Sequence, residues 1–164
     1  MDRSGKQELV SELKQTFLAA GLVVVTQQSG LTVAEVTDLR RRMRSAGAGY
    51  KVTKNRLACL ALAGTAYEPL SPLFKGPTAI AYSQDPVAAA RVAVAFAKAN
   101  DKLTIAGGAL PGQVLDQAGV QELAALPSLD ELRGKLIGVL QAPAGQLARV
   151  FKAYADRDAG AEAA

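Results

Sequence analysis

The chain has no histidine and no tryptophan, and only one cysteine among its 164 residues. Without histidine, the commonest general base and the commonest metal ligand are both missing. With Cys59 alone, neither an intrachain disulfide nor a thiolate metal cage can form, and a reducing, cytoplasmic setting fits. Cys59 lies in an apolar run with no imidazole to activate it, so it reads as a small hydrophobe rather than a nucleophile. Aromatic residues are 5% of the chain, so the core must rest on valine, leucine, isoleucine and alanine. The opening MDRSGKQELV carries no apolar stretch of signal-peptide type, and no apolar run approaches the length of a bilayer span. No cofactor, metal site or catalytic residue is expected.

Acid is also scarce where base is dense. No carboxylate lies between Asp38 and Glu68, yet Arg40, Arg41, Arg42, Arg44, Lys51, Lys54 and Arg56 fall in that interval. The net charge of +4 and pI of about 9.3 would mean little if spread evenly. Clustered, they predict a surface that meets phosphates, with a helix end, a glycine turn and a short strand gathering the charge into one place. A solvated helix face is the plainer alternative. Like charges this close repel by a few tenths of a kcal/mol per pair, which something anionic would relieve. Arginine suits bidentate grips on phosphate, and Lys51 and Lys54 would act as point charges. Asn55 would add amide hydrogen bonds, or serve as a plain helix cap. Lys75-Gly76-Pro77 is a second candidate phosphate contact, or an ordinary strand-entry turn.

Other motifs are less informative. Gly107 to Gly112 matches neither the phosphate-binding loop nor the dinucleotide fingerprint and reads as a bend or hairpin. The carboxylates at Asp130-Glu131 and Asp156-Asp158 are explained by helix caps and a solvated end.

Periodicity predicts a first helix capped by Ser4 and Gln7, with Leu9, Leu13 and Phe17 on one face. Leu22 to Val25 reads as a buried strand, and Gln27 to Gly30 as a loop. Thr32 and Glu35 form a capping box for a second helix with an apolar stripe of Val33, Val36, Leu39 and Met43. Gly47 and Gly49 break it before a short strand at Tyr50 to Thr53. Asn55 caps a third helix carrying Leu57, Leu60 and Leu62. Strands follow at Thr78 to Tyr82 and Leu103 to Leu110. Between them lies a helix opened by Asp85-Pro86 and running to Ala99. Gly112 to Leu115 is extended, and Gln117 to Leu126 helical. Beyond Pro127, Ser128 and Glu131 cap a helix carrying Leu129, Leu132, Leu136 and Leu140, which Pro143 interrupts. A last helix presents Leu147, Val150, Phe151 and Tyr154 at i, i+3, i+4 and i+7 before a fraying tail. No fixed-period repeat is evident. The expected fold is α/β (α+β layered), a mixed sheet flanked by helices over residues 1–126, followed by a C-terminal helical arm over 127–164. The stripe at Leu147, Val150, Phe151 and Tyr154 either packs back on the domain or docks partner helices.

At this point the segment GLTVAEVTDLRRRMRSAGAGYKVTKNRLACLAL resembles the bacterial ribosomal stalk-base family, protein ten of the large subunit. The likeness continues through FKGPTAIAYSQDPVAAARV, FAKAN and LPSLDELRGKLIGVLQAP, in order and without large gaps. It implies an N-terminal domain that binds large-subunit ribosomal RNA beside the neighbouring stalk-base protein, number eleven. It also implies a C-terminal helix that anchors dimers of the acidic stalk protein, which recruit translation GTPases. Some members repress their own messenger RNA. Carried over, RNA contact falls on Arg40, Arg44, Lys51, Lys54, Asn55, Arg56 and Lys75, with Arg41 beside them in the basic run. The partner's helices fall on Leu147, Val150, Phe151 and Tyr154. Many members place a basic residue just before the G-L-T-V turn, where this chain has Ser29. Two rival readings stand beside this one: an α/β enzyme acting on an anionic substrate, and a protein-only adaptor whose basic patch meets an acidic protein.

Overall fold

The computed structural model describes residues 3–162. Residues through Leu126 form one compact unit, and those from Pro127 a second. In the first unit, helix α1 (Arg3–Ala19) leads to strand β1 (Leu22–Gln28), helix α2 (Val33–Ser45), strand β2 (Ala48–Val52) and helix α3 (Asn55–Leu62). A 3-10 helix over Glu68–Leu73 precedes β3 (Thr78–Ser83), α4 (Ala88–Ala99), β4 (Leu103–Leu110), β5 (Gln113–Leu115) and α5 (Gln117–Ala125).

The strand order is β2-β3-β1-β4-β5. The layered α/β class holds, but the expected mixed sheet is antiparallel at all four pairings. The cause lies in the crossovers. Helix α2 carries the chain from β1 to a parallel β2, and α4 carries it from β3 to a parallel β4. Each crossover leaves a gap of one strand, which the other pair's antiparallel strand fills. This is a doubled split β-α-β arrangement.

β1 sits at the centre, and its LVVV run is fully buried on both faces. Leu22 and Val24 pack with Leu39 and Met43 of α2, with α4, and with Val120 of α5. Val23 and Val25 pack on the opposite face with Leu13 and Phe17 of α1, Ala58, Ala61 and Leu62 of α3, and Leu70 and Phe74. A continuous apolar run without alternation is what a strand covered on both sides requires. Tyr67 ties the second face together: its hydroxyl donates to the Ala20 carbonyl at 2.6 Å, and burial raises its pKa.

Several local expectations are corrected. Ser4 is already inside α1, so it caps nothing. β1 continues through Gln28, because Gln27 and Gln28 still pair with β4. Val33 is 85% exposed, since the first turn of α2 stands above the sheet and only Leu39 and Met43 reach the core. Leu60 is likewise exposed, and Ala58, Ala61 and Leu62 bury α3 instead. Helix α2 ends at Ser45, and Gly49 lies within β2, which starts at Ala48 rather than Tyr50. Asp85-Pro86 precedes α4 instead of opening it: Asp85 Oδ1 accepts from the Val87 N–H at 3.0 Å, making a turn before the helix. Gly107 and Gly108 belong to β4, where the pairing slips opposite Val25 and Thr26. A Cβ at Gly108 would lie 3.0 Å from the Val23 carbonyl oxygen and 3.2 Å from Val120, so glycine lets α5 approach the sheet. The turn itself falls at Pro111-Gly112, between β4 and β5.

The second unit is one helix, α6 (Leu129–Glu162), with Pro143 inside it. The expected interruption does not occur. Proline removes one donor and crowds the carbonyl four residues back. That carbonyl belongs to Val139, which is 70% exposed, so water can take the lost bond. The expected fraying tail is helical through Glu162, and Ala163 and Ala164 lie outside the described residues. The box at Ser128 forms as expected, with Glu131 N–H donating to Ser128 Oγ at 3.3 Å and Ser128 N–H to Glu131 Oε2 at 3.1 Å.

Two positions of the α2 stripe, Val33 and Leu39, therefore separate sharply. Leu39→Ala should cost about 2–5 kcal/mol of stability, as a buried leucine truncation does. Val33→Ala should change it by less than about 0.5 kcal/mol. Urea unfolding of the two variants measures both.

Candidate nucleic-acid interface

The basic run that is continuous in sequence is not one patch in space. β1 rises to Gln28, α2 descends to Ser45, and β2 rises again from Ala48 to Val52. Arg44 therefore stands near the start of β2, while Lys54 stands beyond its end, roughly 13 Å of strand away. The strand that follows the glycine turn sets this separation.

The cations also differ in their partners. Asp38 accepts from both Arg41 at 2.9 Å and Arg42 at 2.7 Å, so a single carboxylate offsets one of the two charges along this helix. Arg42 further lies 6.0 Å over the Phe96 ring. Lys51 points to the α1 side of the sheet, where its Nζ lies 2.8 Å from Glu12. Among the described residues, Arg40, Arg44, Lys54, Arg56 and Lys75 make no ion pair, and all five are exposed.

Three of these five are brought together by Asn55. The sequence suggested a capping residue there, but Lys54 occupies the cap position and Asn55 is the first helical residue. The Asn55 amide instead reaches across to the segment before β3. Its Nδ2 donates to the Phe74 carbonyl at 3.2 Å and the Gly76 carbonyl at 2.8 Å, and its Oδ1 accepts from Thr78 Oγ1 at 2.6 Å. Gly76, at φ +77°, turns the chain so that both carbonyls face the amide. The same turn is held from β1: Gln27 Nε2 donates to the Lys75 carbonyl at 3.1 Å, and Gln28 N–H to the Pro77 carbonyl at 2.9 Å. Lys75 is thus set beside Lys54 and Arg56 at the end of the sheet where β1 and β2 finish and β3 begins. No side chain caps α3; the Leu57 and Ala58 N–H groups donate to the Lys54 carbonyl at 2.9 and 3.0 Å, which leaves those of Asn55 and Arg56 for an acceptor from outside.

Sequence reasoning placed Tyr50 in a strand and gave it no role. Its hydroxyl accepts from Gln28 Nε2 at 2.6 Å and lies 3.4 Å from Thr26 Oγ1, whose own proton goes to the Ala79 carbonyl at 3.2 Å. Burial raises the Tyr50 pKa, against the pull of these hydrogen bonds and of the Arg40 charge. The loop at Ser29 carries no cation of its own, and its N–H donates to the Lys102 carbonyl at 2.9 Å. Lys102 Nζ in turn lies 3.0 Å from Glu35. The Thr32–Glu35 capping box forms as expected, with Thr32 N–H donating to Glu35 Oε2 at 2.7 Å. That backbone bond, then Lys102 and the Thr32 hydroxyl, hold the Glu35 carboxyl at about 2.

On α6, Leu147, Val150, Phe151 and Tyr154 are exposed, as are Leu136, Val139 and Leu140. The two sets are related by a shift of eleven residues: Leu136, Val139 and Leu140 recur as Leu147, Val150 and Phe151. Eleven residues are close to three helical turns, so both sets lie on one face. This short repeat was overlooked in the sequence because Pro143 appeared to end the first helix.

These features match a known family over nearly the whole chain. The model of ribosomal protein L10 matches residues 1–98, and that of the ribosomal protein uL10 C-terminal region matches 126–164. The chain belongs to the ribosomal protein L10 family. Large ribosomal subunit protein uL10 of Rhodospirillum centenum is 59% identical, covering 98% of this chain and all of its own. The protein of the same name from Zymomonas mobilis subsp. mobilis is 58% identical over 97% of this chain and 99% of its own. That from Paramagnetospirillum magneticum is 63% identical over 90% and 86%. As an L10 family member, the chain is a ribosomal protein, a structural component of the cytoplasmic ribosome and not an enzyme. Among the described residues, no helix is long and apolar enough to cross a membrane, and no three His, Cys, Asp or Glu side chains cluster to hold a metal.

Two expectations follow from this geometry. Asn55→Ala leaves two carbonyls and a hydroxyl without their partner, so it should lower stability by about 1–3 kcal/mol in chemical denaturation. Glu35 has a folded pKa of about 2 against an ordinary 4.5. Its contribution is complete above 4.5 and is lost as pH falls through the folded value. Thermal unfolding followed between pH 5 and pH 2 should therefore decline more steeply for the native chain than for Glu35→Gln.

Proposed function

We propose that the first unit anchors the protein to large-subunit ribosomal RNA, and that α6 carries dimers of an acidic stalk protein that recruit translation GTPases. The observation that carries the first half is the set of five cations without carboxylate partners. Lys54, Arg56 and Lys75 form the centre of the RNA contact, held by Asn55 and joined by the open N–H groups of α3. A phosphate oxygen there meets point charges and backbone donors together. Arg40 and Arg44 extend the contact along α2. Arg41 and Lys51 are already paired, and Asn55 is fully engaged, so these three act by shaping the surface. Recognition of this kind reads RNA shape and backbone rather than sequence. The neighbouring stalk-base protein, number eleven, lies beside this contact. The same surface serves for binding the protein's own messenger where that RNA presents a similar fold.

For α6, the eleven-residue recurrence supports two equivalent docking segments, one around Leu136, Val139 and Leu140 and one around Leu147, Val150, Phe151 and Tyr154. Each offers an apolar stripe to a helical partner. Tethering several flexible partners to one arm raises their effective concentration at the site where they act.

Filter binding of the full chain to a stalk-base ribosomal RNA fragment tests the first half. Replacing Arg40, Lys54 and Lys75 with alanine should weaken binding and reduce the slope of log affinity against log salt by roughly two. In parallel, Leu147→Asp with Phe151→Asp should cut capture of the acidic stalk protein to what the segment around Leu136, Val139 and Leu140 holds, while RNA affinity is unchanged. An unaltered salt slope in the first variant, or full capture by the second, overturns the corresponding half. Competition between ribosomal RNA fragments and an acidic protein for the basic surface excludes or restores the adaptor reading.

A further inference from the structure

A groove between α1 and α3 adjoins the proposed RNA contact at its Lys54–Arg56 end, and the rest of it is used by neither half of that function. Its floor is aliphatic, formed by Val10 of α1 and by Leu57 and Leu60 of α3, and Leu60 is 62% exposed. One stretch encloses about 880 Å³ and the adjoining one about 520 Å³. The two share Lys6, Leu57 and Leu60, so they form one continuous trough. Lys6 and Lys14 border it on the α1 side, and Lys54 and Arg56 stand at its α3 end. No carboxylate lines it. Among the described residues, none of these four cations makes an ion pair. The carboxylates of α1 lie elsewhere, with Glu12 engaged by Lys51.

The chemistry of the floor selects the occupant. A phosphate backbone gains nothing from aliphatic carbon. A splayed base wants an aromatic or guanidinium plane. The aromatic side chain lining the trough, Phe74, is itself 7% exposed and packed into the core. An amphipathic helix with acidic flanks answers every part of the lining: its apolar ridge covers Leu60, and its carboxylates meet Lys6 and Lys14. Lys6, Val10 and Lys14 recur every four residues along one face of α1, covering about 12 Å, the length of two helical turns.

We propose that this trough docks an acidic amphipathic helix of a neighbouring protein, with the apolar ridge on Val10, Leu57 and Leu60 and the acidic flank on Lys6 and Lys14. The docking is separate from the RNA contact, although Lys54 and Arg56 lie where the two meet.

The test uses the full chain in assembled large subunits. Cys59→Ser removes the native thiol, and Ser11→Cys, on the exposed trough wall, carries a benzophenone maleimide. Illumination should yield a protein adduct whose cross-linked peptide is an acidic amphipathic helix. Adding Lys6→Glu and Lys14→Glu should reduce that adduct about tenfold, the effect of about 1.4 kcal/mol of lost charge attraction. Binding to the ribosomal RNA fragment should be retained, which separates failure of this proposal from failure of the RNA assignment. An adduct to RNA, an adduct to a second copy of this chain, no adduct, or an adduct indifferent to the charge reversal overturns the docking.

Discussion

A central strand buried on both faces constrains everything else in the first unit. β1 offers Leu22 and Val24 to one side and Val23 and Val25 to the other, so apolar cover is needed on both. Helices α2, α4 and α5 supply it on one face, and α1, α3 and the 3-10 helix on the other. Because α2 and α3 cover opposite faces, the basic residues they carry start from different layers of the fold. The run from Arg40 to Arg56 crosses from one layer to the other through β2. Lys51, midway along, pairs with Glu12 on α1 for this reason.

The same layering explains why the cationic edge needs an internal tie. α3 and the turn before β3 meet at the end of the sheet, where ladder hydrogen bonds have run out. A short helix without a side-chain cap, next to a turn containing Gly76 and Pro77, has little of its own to define its position. The Asn55 amide supplies three bonds there, to residues 19, 21 and 23 positions away. Gln27 and Gln28 add two more from β1. Exposed cations gain little from being near one another and repel. Holding Lys54, Arg56 and Lys75 side by side is therefore a cost borne by these neutral amides. An anion that bridges the three relieves it.

Local chemistry was legible in the sequence, and distance was not. The boxes at Thr32 and Ser128 could be read because both partners lie within one turn. The LVVV strand could be read because burial on both faces leaves a run without alternation. Val33 was misplaced because periodicity gives the direction of a face but not how far the layer beneath it extends. Asn55 was misread as a cap because its real partners lie some twenty residues on. The basic cluster was recognised but taken for a single patch, since sequence proximity across a helix, a turn and a strand says nothing about which end of the sheet each residue reaches. The carboxylates that pair with Arg41, Arg42 and Lys51 were visible as residues, but only the fold shows that Glu12 is one of them.

α6 presents the converse case, in which structure restores a pattern already in the sequence. A proline in mid-helix invites division into two segments. The continuous helix puts Leu136, Val139 and Leu140 in phase with Leu147, Val150 and Phe151. An eleven-residue step exceeds three turns of 3.6 residues by only about a fifth of a residue, so the stripe drifts little between the two sets. Pro143 falls between them, at the position that Tyr154 holds in the second set. A proline is least disruptive where the carbonyl behind it faces water, and Val139 is exposed. The two stripes also contain no acidic residue, which suits a partner that is itself acidic. An arm of this kind needs no core. Under the proposed function a partner helix covers its apolar face, whereas the core residues of the first unit cover one another.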